Sequence, residues 1–206
     1  MRLSNTLIGS HSLARALKAC PARAAALTLL AVGIAGLPAS ALAGGHHEHG
    51  EGRDLEELRS LVHKAQVAEL LDLAADFHGA LSYNGDPAIK GAHLTVMSNL
   101  WATCGTLTFS NTVTSAVSSF TGKDAVIGFF ATGGYFLNNW VSLAPEYKTR
   151  VSVQGDTAHI STQCVGIDLT ASPMVVKNVI QVEADAVRVE DTWRFVAMHN
   201  SSPAPL

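Results

Sequence analysis

The chain has 206 residues and a formal net charge of −3 at pH 7. This length is sufficient for one domain with a proper hydrophobic core. The sequence contains no basic patch, which argues against a nucleic-acid partner.

The first 43 residues have the layout of a secretory signal peptide. Residues 1–23 carry bases and no acid, residues 24–37 are uncharged and apolar, and Ala41-Leu42-Ala43 follows a small-x-small pattern. An uncleaved anchor is the alternative, but the apolar run is shorter than the roughly 20 residues that span a bilayer. We therefore expect cleavage after Ala43, no stable membrane anchor afterwards, and a secreted or periplasmic protein.

Residues 44–53, GGHHEHGEGR, predict a flexible linker between the leader and the domain. Its histidines could bind a transition metal weakly, but a flexible segment rarely forms a closed site without further ligands. We therefore predict no metal site. The folded domain is expected at 54–202, followed by a short tail at 203–206.

Two cysteines, Cys104 and Cys164, remain once the leader is removed. An exported protein could pair them in a disulfide. Two buried thiols are the equal alternative, since the sequence does not show that the two residues meet.

The strongest helix signal lies between residues 54 and 86, where apolar residues recur at helical spacing. Asp54 is the expected N-cap, with further acids in the first turn. Glycine and proline in YNGDP end this helix. A short second helix is expected at 87–101.

The rest of the chain predicts mainly extended structure. Residues 105–119 are rich in Thr, Val and Ser and predict a strand or hairpin, whereas 121–140 opens with a helix N-terminus signal. The segments after residue 147 predict strands, with a tight turn at 154–156. Helices followed by an antiparallel sheet indicate an α+β fold rather than a parallel βαβ sheet.

Several stretches, in this order, resemble the SnoaL-like branch of the nuclear transport factor 2-like (NTF2-like) superfamily. The resemblance spans roughly residues 60–200 and implies a curved antiparallel sheet wrapped around the long N-terminal helix, a cone-shaped α+β barrel with an open mouth. Trp193 would begin the last strand. The matching stretches are FHGALSYNGD, LWATCGTLTF, FTGKDAVIGFF, VSVQGDTAHI and VRVEDTWRF.

The resemblance also implies where chemistry would occur. Many dehydratase-like and cyclase-like members pair an Asp near the end of the long helix with a His before the hairpin. Tyr83 occupies the first position here, and SLAPEYKTR, which covers the second, has no His. Isomerase-like members use a proton-moving Asp and two hydrogen-bond donors, whose positions fall on Phe109, His78 and Asp185. The usual base is therefore absent, and His78 and Asp185 are the candidate catalytic residues.

The strand predicted at 179–188 can face the cone in two ways. If Gln181, Glu183 and Asp185 point inward, Asp185 can face His78, and the apolar set could cover the interface of the homodimer that we expect to form through the sheet. If the apolar set points inward, the acids form the solvated face. The sequence does not decide between these orientations.

We expect the cone to bind a small, mostly apolar molecule, with no cofactor. A lyase or isomerase that moves a proton next to a carbonyl is one alternative, and an accessory domain with a filled cone is another, because fold alone does not choose a function. The candidate pocket residues are Phe77, Tyr83, Trp101, Phe109, Tyr135, Trp140 and Gln181.

Overall fold

The computed structural model describes residues 51–132, 140–145 and 148–202. The predicted leader, most of the linker, the tail and Tyr135 lie outside these ranges. Helices and strands follow one another as the α+β prediction requires. They are α1 Glu51–Leu81, α2 Pro87–Asn99, β1 Trp101–Asn111, β2 Val117–Thr121, α3 Lys123–Thr132, β3 Trp140–Leu143, β4 Arg150–Gln154, β5 Thr157–Asp168, β6 Val175–Val189 and β7 Thr192–Ser202.

The helix ends differ from those that the sequence predicts. Helix α1 begins at Glu51, so the prediction of Asp54 as N-cap is wrong, because Asp54 already lies within the first turn. The next helix, α2, does have an aspartate N-cap, which is Asp86. The Asp86 carboxylate accepts a hydrogen bond from the backbone N–H of Ala88 at 2.9 Å, and Pro87 fills the first helical position.

The strands form a single curved, unclosed sheet in the order β2-β1-β7-β6-β5-β3, with β4 also paired to β5. Strands β1 and β7 run parallel, whereas the other pairs are antiparallel. The prediction of a purely antiparallel sheet is therefore wrong at this one pair. Register shifts interrupt three of the pairings, and such bulges bend the strands that carry them.

The predicted turn at 154–156 joins β4 to β5. Gly155 adopts a φ of 60°, a left-handed conformation that glycine tolerates better than other residues. The flanking residues Gln154 and Thr157 pair with each other directly across the turn. This local prediction is confirmed.

The core lies between α1 and the inner face of the sheet. Trp193 lies at the start of β7 as predicted; it is buried, and its Nε1 donates a hydrogen bond to Glu69 Oε2 at 3.0 Å. This contact joins the last strand to the long helix. Among the described residues, no helix is both long and apolar enough to cross a membrane. The largest buried side chains of the core include Leu70, Phe77, Met97, Trp101, Leu107, Val126, Phe130, Ile160 and Phe195.

Candidate functional site

The orientation of β6 separates the molecule's two polar clusters. Ile180, Val182 and Ala184 are buried in the core against the helices. Because successive strand residues point to opposite faces, Glu183 and Asp185 lie on the outer face of the sheet. The structure therefore has the apolar set of this strand inside and the acids outside.

His78 and Asp185 consequently do not meet. His78 lies on α1 and is buried, whereas Asp185 hydrogen-bonds His159 on the outer face, with 2.8 Å between Oδ1 and Nδ1. The packing of Ala184 and Ala186 into the core turns Asp185 outward. Of the two orientations that the sequence left open, the one in which Asp185 would face His78 is therefore not adopted, while a role for each residue by itself stays a prediction.

His78 belongs to a buried polar cluster that links α1 to β3. Its Nδ1 lies 2.9 Å from Ser142 Oγ. The hydroxyl of Ser82 donates to the His78 carbonyl at 2.8 Å and accepts from the Ser142 backbone N–H at 3.0 Å. Burial lowers the pKa of His78 to about 4, so the imidazole is neutral at pH 7.

Cys164 of β5 extends this cluster. It is a free, buried thiol, so it does not pair with Cys104. Burial raises its pKa to about 11, against the opposing effect of a hydrogen bond with the Ser142 side chain. The thiol therefore keeps its proton at pH 7, and Ser142 lies between a thiol and an imidazole.

This arrangement favours one tautomer of His78. An imidazole nitrogen is a better hydrogen-bond acceptor than sulfur, so the Ser142 hydroxyl donates to Nδ1. The proton of the neutral ring then lies on Nε2. Among the described residues, Nε2 has no hydrogen-bond partner.

A pocket of about 320 Å³ lies beside this cluster. This volume is near the lower end of the usual range for small-molecule sites. Thr149 is held in place because its Oγ1 lies 2.9 Å from Thr162 Oγ1. The lining is mainly apolar and combines one face of α1 with the segment between β3 and β4: Ala68, Leu71, Asp72, Ala74, Ala75, His78, Ala144 and Thr149.

The predicted pocket residues have other positions. Four aromatic residues pack into the core and do not line this pocket, because large rings fill the space between helix and sheet. Gln181 lies on the outer face, where its Nε2 donates to Glu183 Oε1 at 3.0 Å. Trp140 lies in β3, but its side chain is outside the described part. The four core residues are Phe77, Tyr83, Trp101 and Phe109.

The sequence reasoning missed the residues that do line the pocket. Ala68, Leu71, Asp72 and Ala75 share one face of α1 at helical spacing. That spacing was the available signal, but small apolar residues on a helix equally predict packing. Ala144 and Thr149 are close to this face because of the sheet, which their local sequence does not reveal.

The outer face carries a second polar cluster, centred on His159. Its Nδ1 lies 2.8 Å from Asp185 Oδ1 and its Nε2 lies 3.0 Å from Glu183 Oε2. The hydrogen bond with Asp185 is the main cause that raises the pKa of His159, with Glu183 adding to it and partial burial opposing it. Both ring nitrogens are thus occupied. Within the described ranges, no group of three or more His, Cys, Asp or Glu residues is placed to hold a metal ion.

Neither a protein-family model nor a curated protein sequence matches this chain, but solved structures do. A protein of unknown function from Mycobacterium tuberculosis aligns at 12% identity over 70% of this chain and 75% of its own, with a TM-score of 0.56. Hexachlorocyclohexane dehydrochlorinase LinA-type3 from Novosphingobium barchaimii LL02 aligns at 10% identity over 70% and 91%, with a TM-score of 0.55. An NTF2-like protein of unknown function from Pseudomonas putida KT2440 aligns at 13% identity over 69% and 90%, with a TM-score of 0.52.

The chain has the NTF2-like fold. The resemblance predicted from the sequence motifs is therefore confirmed at the level of architecture. Similarities at identities this low establish the fold alone and transfer no activity. Its function has to be argued from the pocket and the two polar clusters.

Proposed function

We propose that this NTF2-like protein binds a small, mostly apolar molecule in the pocket beside α1. The observation that supports the proposal is a mainly apolar lining with one buried, neutral imidazole in it. A few placed polar groups in an apolar cavity are typical of small-molecule sites, where they orient the ligand.

His78 gives the proposed ligand its polar anchor. Because Ser142 occupies Nδ1, Nε2–H is the ring group left to donate a hydrogen bond. Among the described lining residues none is basic and one is Asp72, so an anionic ligand would be repelled. The proposed ligand is therefore neutral and carries an acceptor, such as a carbonyl oxygen, on an apolar body.

One observation favours a lyase or isomerase as the second candidate. His78 and Ser142 connect the end of the long helix to the strand before the β4–β5 hairpin. The resemblance places the dehydratase-like dyad on these same two parts of the fold. However, a base whose conjugate acid has a pKa of about 4 removes protons weakly near neutral pH. Binding is therefore the better-supported function.

The test begins with native mass spectrometry of the protein purified from its own host, to find a molecule that co-purifies. Ala75→Leu then narrows the pocket, and Ala65→Leu is its control, because both alanines are exposed residues of α1 but only Ala75 lines the pocket. We expect Ala75→Leu to weaken binding by at least about 10-fold, equivalent to 1.4 kcal/mol, and Ala65→Leu to leave it unchanged.

The polar anchor is tested with a linear ketone and the alkane of equal length, titrated into the wild-type protein by calorimetry. We expect the ketone to bind about 5-fold more tightly, since one net hydrogen bond contributes about 1 kcal/mol. Equal affinities for the ketone and the alkane would show that His78 does not anchor the ligand. If Ala75→Leu leaves the affinity for every tested ligand unchanged, the ligands do not bind in this pocket.

A further inference from the structure

Residues 55–65, about three turns in the N-terminal half of α1, extend beyond the domain's core. All side chains from residue 55 to residue 65 are exposed, and the first fully buried residue of the helix is Leu70. The exposed fractions are 57% for Leu55, 57% for Leu58 and 51% for Val62. Large apolar side chains are therefore presented to solvent along a segment that contributes little to its own core.

These side chains form one stripe along the helix. Leu55, Leu58, Val62 and Ala65 follow a spacing of three, four and three residues, which keeps them on one side of an α-helix and matches the seam of a coiled coil. A helix of this length is marginal in water without tertiary contacts. Exposed apolar surface of this kind marks an interaction site.

We propose that this stripe joins two copies of the chain, whose α1 helices pack antiparallel about a two-fold axis at Ser60. Each residue then lies opposite the residue equally far on the other side of Ser60. Leu58 faces the partner's Val62, and Leu55 faces the partner's Ala65. The stripe is thus complementary to itself in antiparallel orientation, as an isologous contact requires.

The charges beside the stripe favour the same orientation. Glu56 and Glu57 lie in the first half of the segment, whereas Lys64 lies in the second half. Antiparallel packing brings Glu56 towards the partner's Lys64, while parallel packing would place like charges side by side. The two helix dipoles also oppose each other favourably when antiparallel. Because these charges flank the stripe, they select orientation more than they add affinity.

The contact covers only three helical turns and is small compared with a standard protein interface. We therefore expect reversible association, with a dissociation constant on the order of micromolar. This surface does not overlap the pocket lining, which begins at Ala68, so the proposal is independent of the ligand.

Sedimentation velocity of the full chain at concentrations from about 1 to 100 µM tests the association. Leu58→Gln removes one apolar layer, and we expect it to weaken dimerisation at least about 10-fold. Val113→Gln is the control, because Val113 is 73% exposed in the turn between β1 and β2, away from α1. Both replaced side chains are exposed, so circular dichroism should show unchanged folding.

Disulfide cross-linking tests the orientation. Under oxidation, a mixture of Leu58→Cys and Val62→Cys chains should form the mixed disulfide, identified by peptide mass spectrometry, whereas Leu58→Cys alone should cross-link poorly. Efficient cross-linking of Leu58→Cys with itself would overturn the antiparallel arrangement. A monomer at all concentrations would overturn the dimer, and binding of that monomer to phosphatidylglycerol vesicles would assign the stripe to a lipid surface instead.

Discussion

One histidine lies on each side of the sheet, and the pKa values of the two side chains are shifted in opposite directions. His78 contacts the inner side, where burial lowers its pKa to about 4. His159 is half-exposed on the outer side, where the hydrogen bond with Asp185 is the main cause that raises its pKa. The same residue type is therefore neutral in one place and stabilised as a cation in the other, because desolvation and nearby charge act in opposite directions.

The hydrogen bonds of the two rings separate their roles. His159 has carboxylates at both nitrogens and connects β5 to β6, so its ring is committed to the sheet. His78 has one nitrogen bonded to Ser142 and lines a pocket with the rest of its ring. His78 accordingly keeps part of its ring at the pocket, whereas both nitrogens of His159 are bonded within the sheet.

The largest expected effect comes from truncating a residue of the inner face. Phe195 of β7 is 1% exposed and packs its ring 5.6 Å from both Phe77 and Trp101, centroid to centroid. Phe195→Ala should lower the free energy of unfolding by about 3–5 kcal/mol, because it removes buried area and leaves a cavity. Urea denaturation measures the change.

His199 is the control on the same strand. It is exposed on the outer face, where its Nε2 lies 3.1 Å from Ser110 Oγ. His199→Ala should change the free energy of unfolding by less than about 0.5 kcal/mol, as is usual for surface substitutions. If Phe195→Ala and His199→Ala lowered the free energy of unfolding by similar amounts, the inner and outer faces of the sheet would not differ as their burial indicates.

Local patterns were sufficient to predict much of the fold. The apolar period of α1, the Gly155 turn and the closing strand at Trp193 are each encoded within a few residues. The parallel pairing of β1 with β7 joins segments that lie far apart in the chain. No periodicity within either strand distinguishes that pairing from an antiparallel one.

The site was harder to predict because the alternation of apolar and polar residues along a strand does not show which set faces the core. Strand β6 offers an apolar set and a polar set of similar length, and both orientations satisfied the sequence. The choice depends on the core contacts of Ala184 and on a register shift between Asp185 and Ala186. His78, a candidate from the sequence, lines the pocket, but its hydrogen-bond partner Ser142 lies 64 residues away in a four-residue strand.

The second effect is a pH dependence of stability that originates at His78. Its pKa is about 4 in the folded state and 6.5 as an ordinary histidine. As pH falls below 6.5, the unfolded chain binds this proton first. The stabilisation is therefore complete above pH 6.5 and is lost progressively towards pH 4, on the order of 3 kcal/mol in total.

Urea denaturation at pH 7.5 and pH 4.5 measures this loss in the wild type and in His78→Leu. Acidic residues titrate in both proteins, so the difference between their two pH slopes isolates His78. We expect a shallower slope for His78→Leu, whatever its absolute stability. Identical slopes for wild type and His78→Leu would show that His78 is not held neutral by burial.

The smallest effect concerns the outer histidine, and NMR titration of the histidine rings measures it. Asp185→Asn should lower the pKa of His159 more than Glu183→Gln, because the hydrogen bond with Asp185 is the first cause of the upward shift. A raised pKa stabilises the fold below pH 6.5, and this contribution disappears as pH rises through the folded value. Its effect on stability is small because His159 is half-exposed and solvent screens the pair.

His78 should titrate unchanged in both variants, since it lies across the sheet from these acids. A shift of His78 in Asp185→Asn would mean that the two faces are electrostatically coupled and that the contrast between their histidines has a common origin.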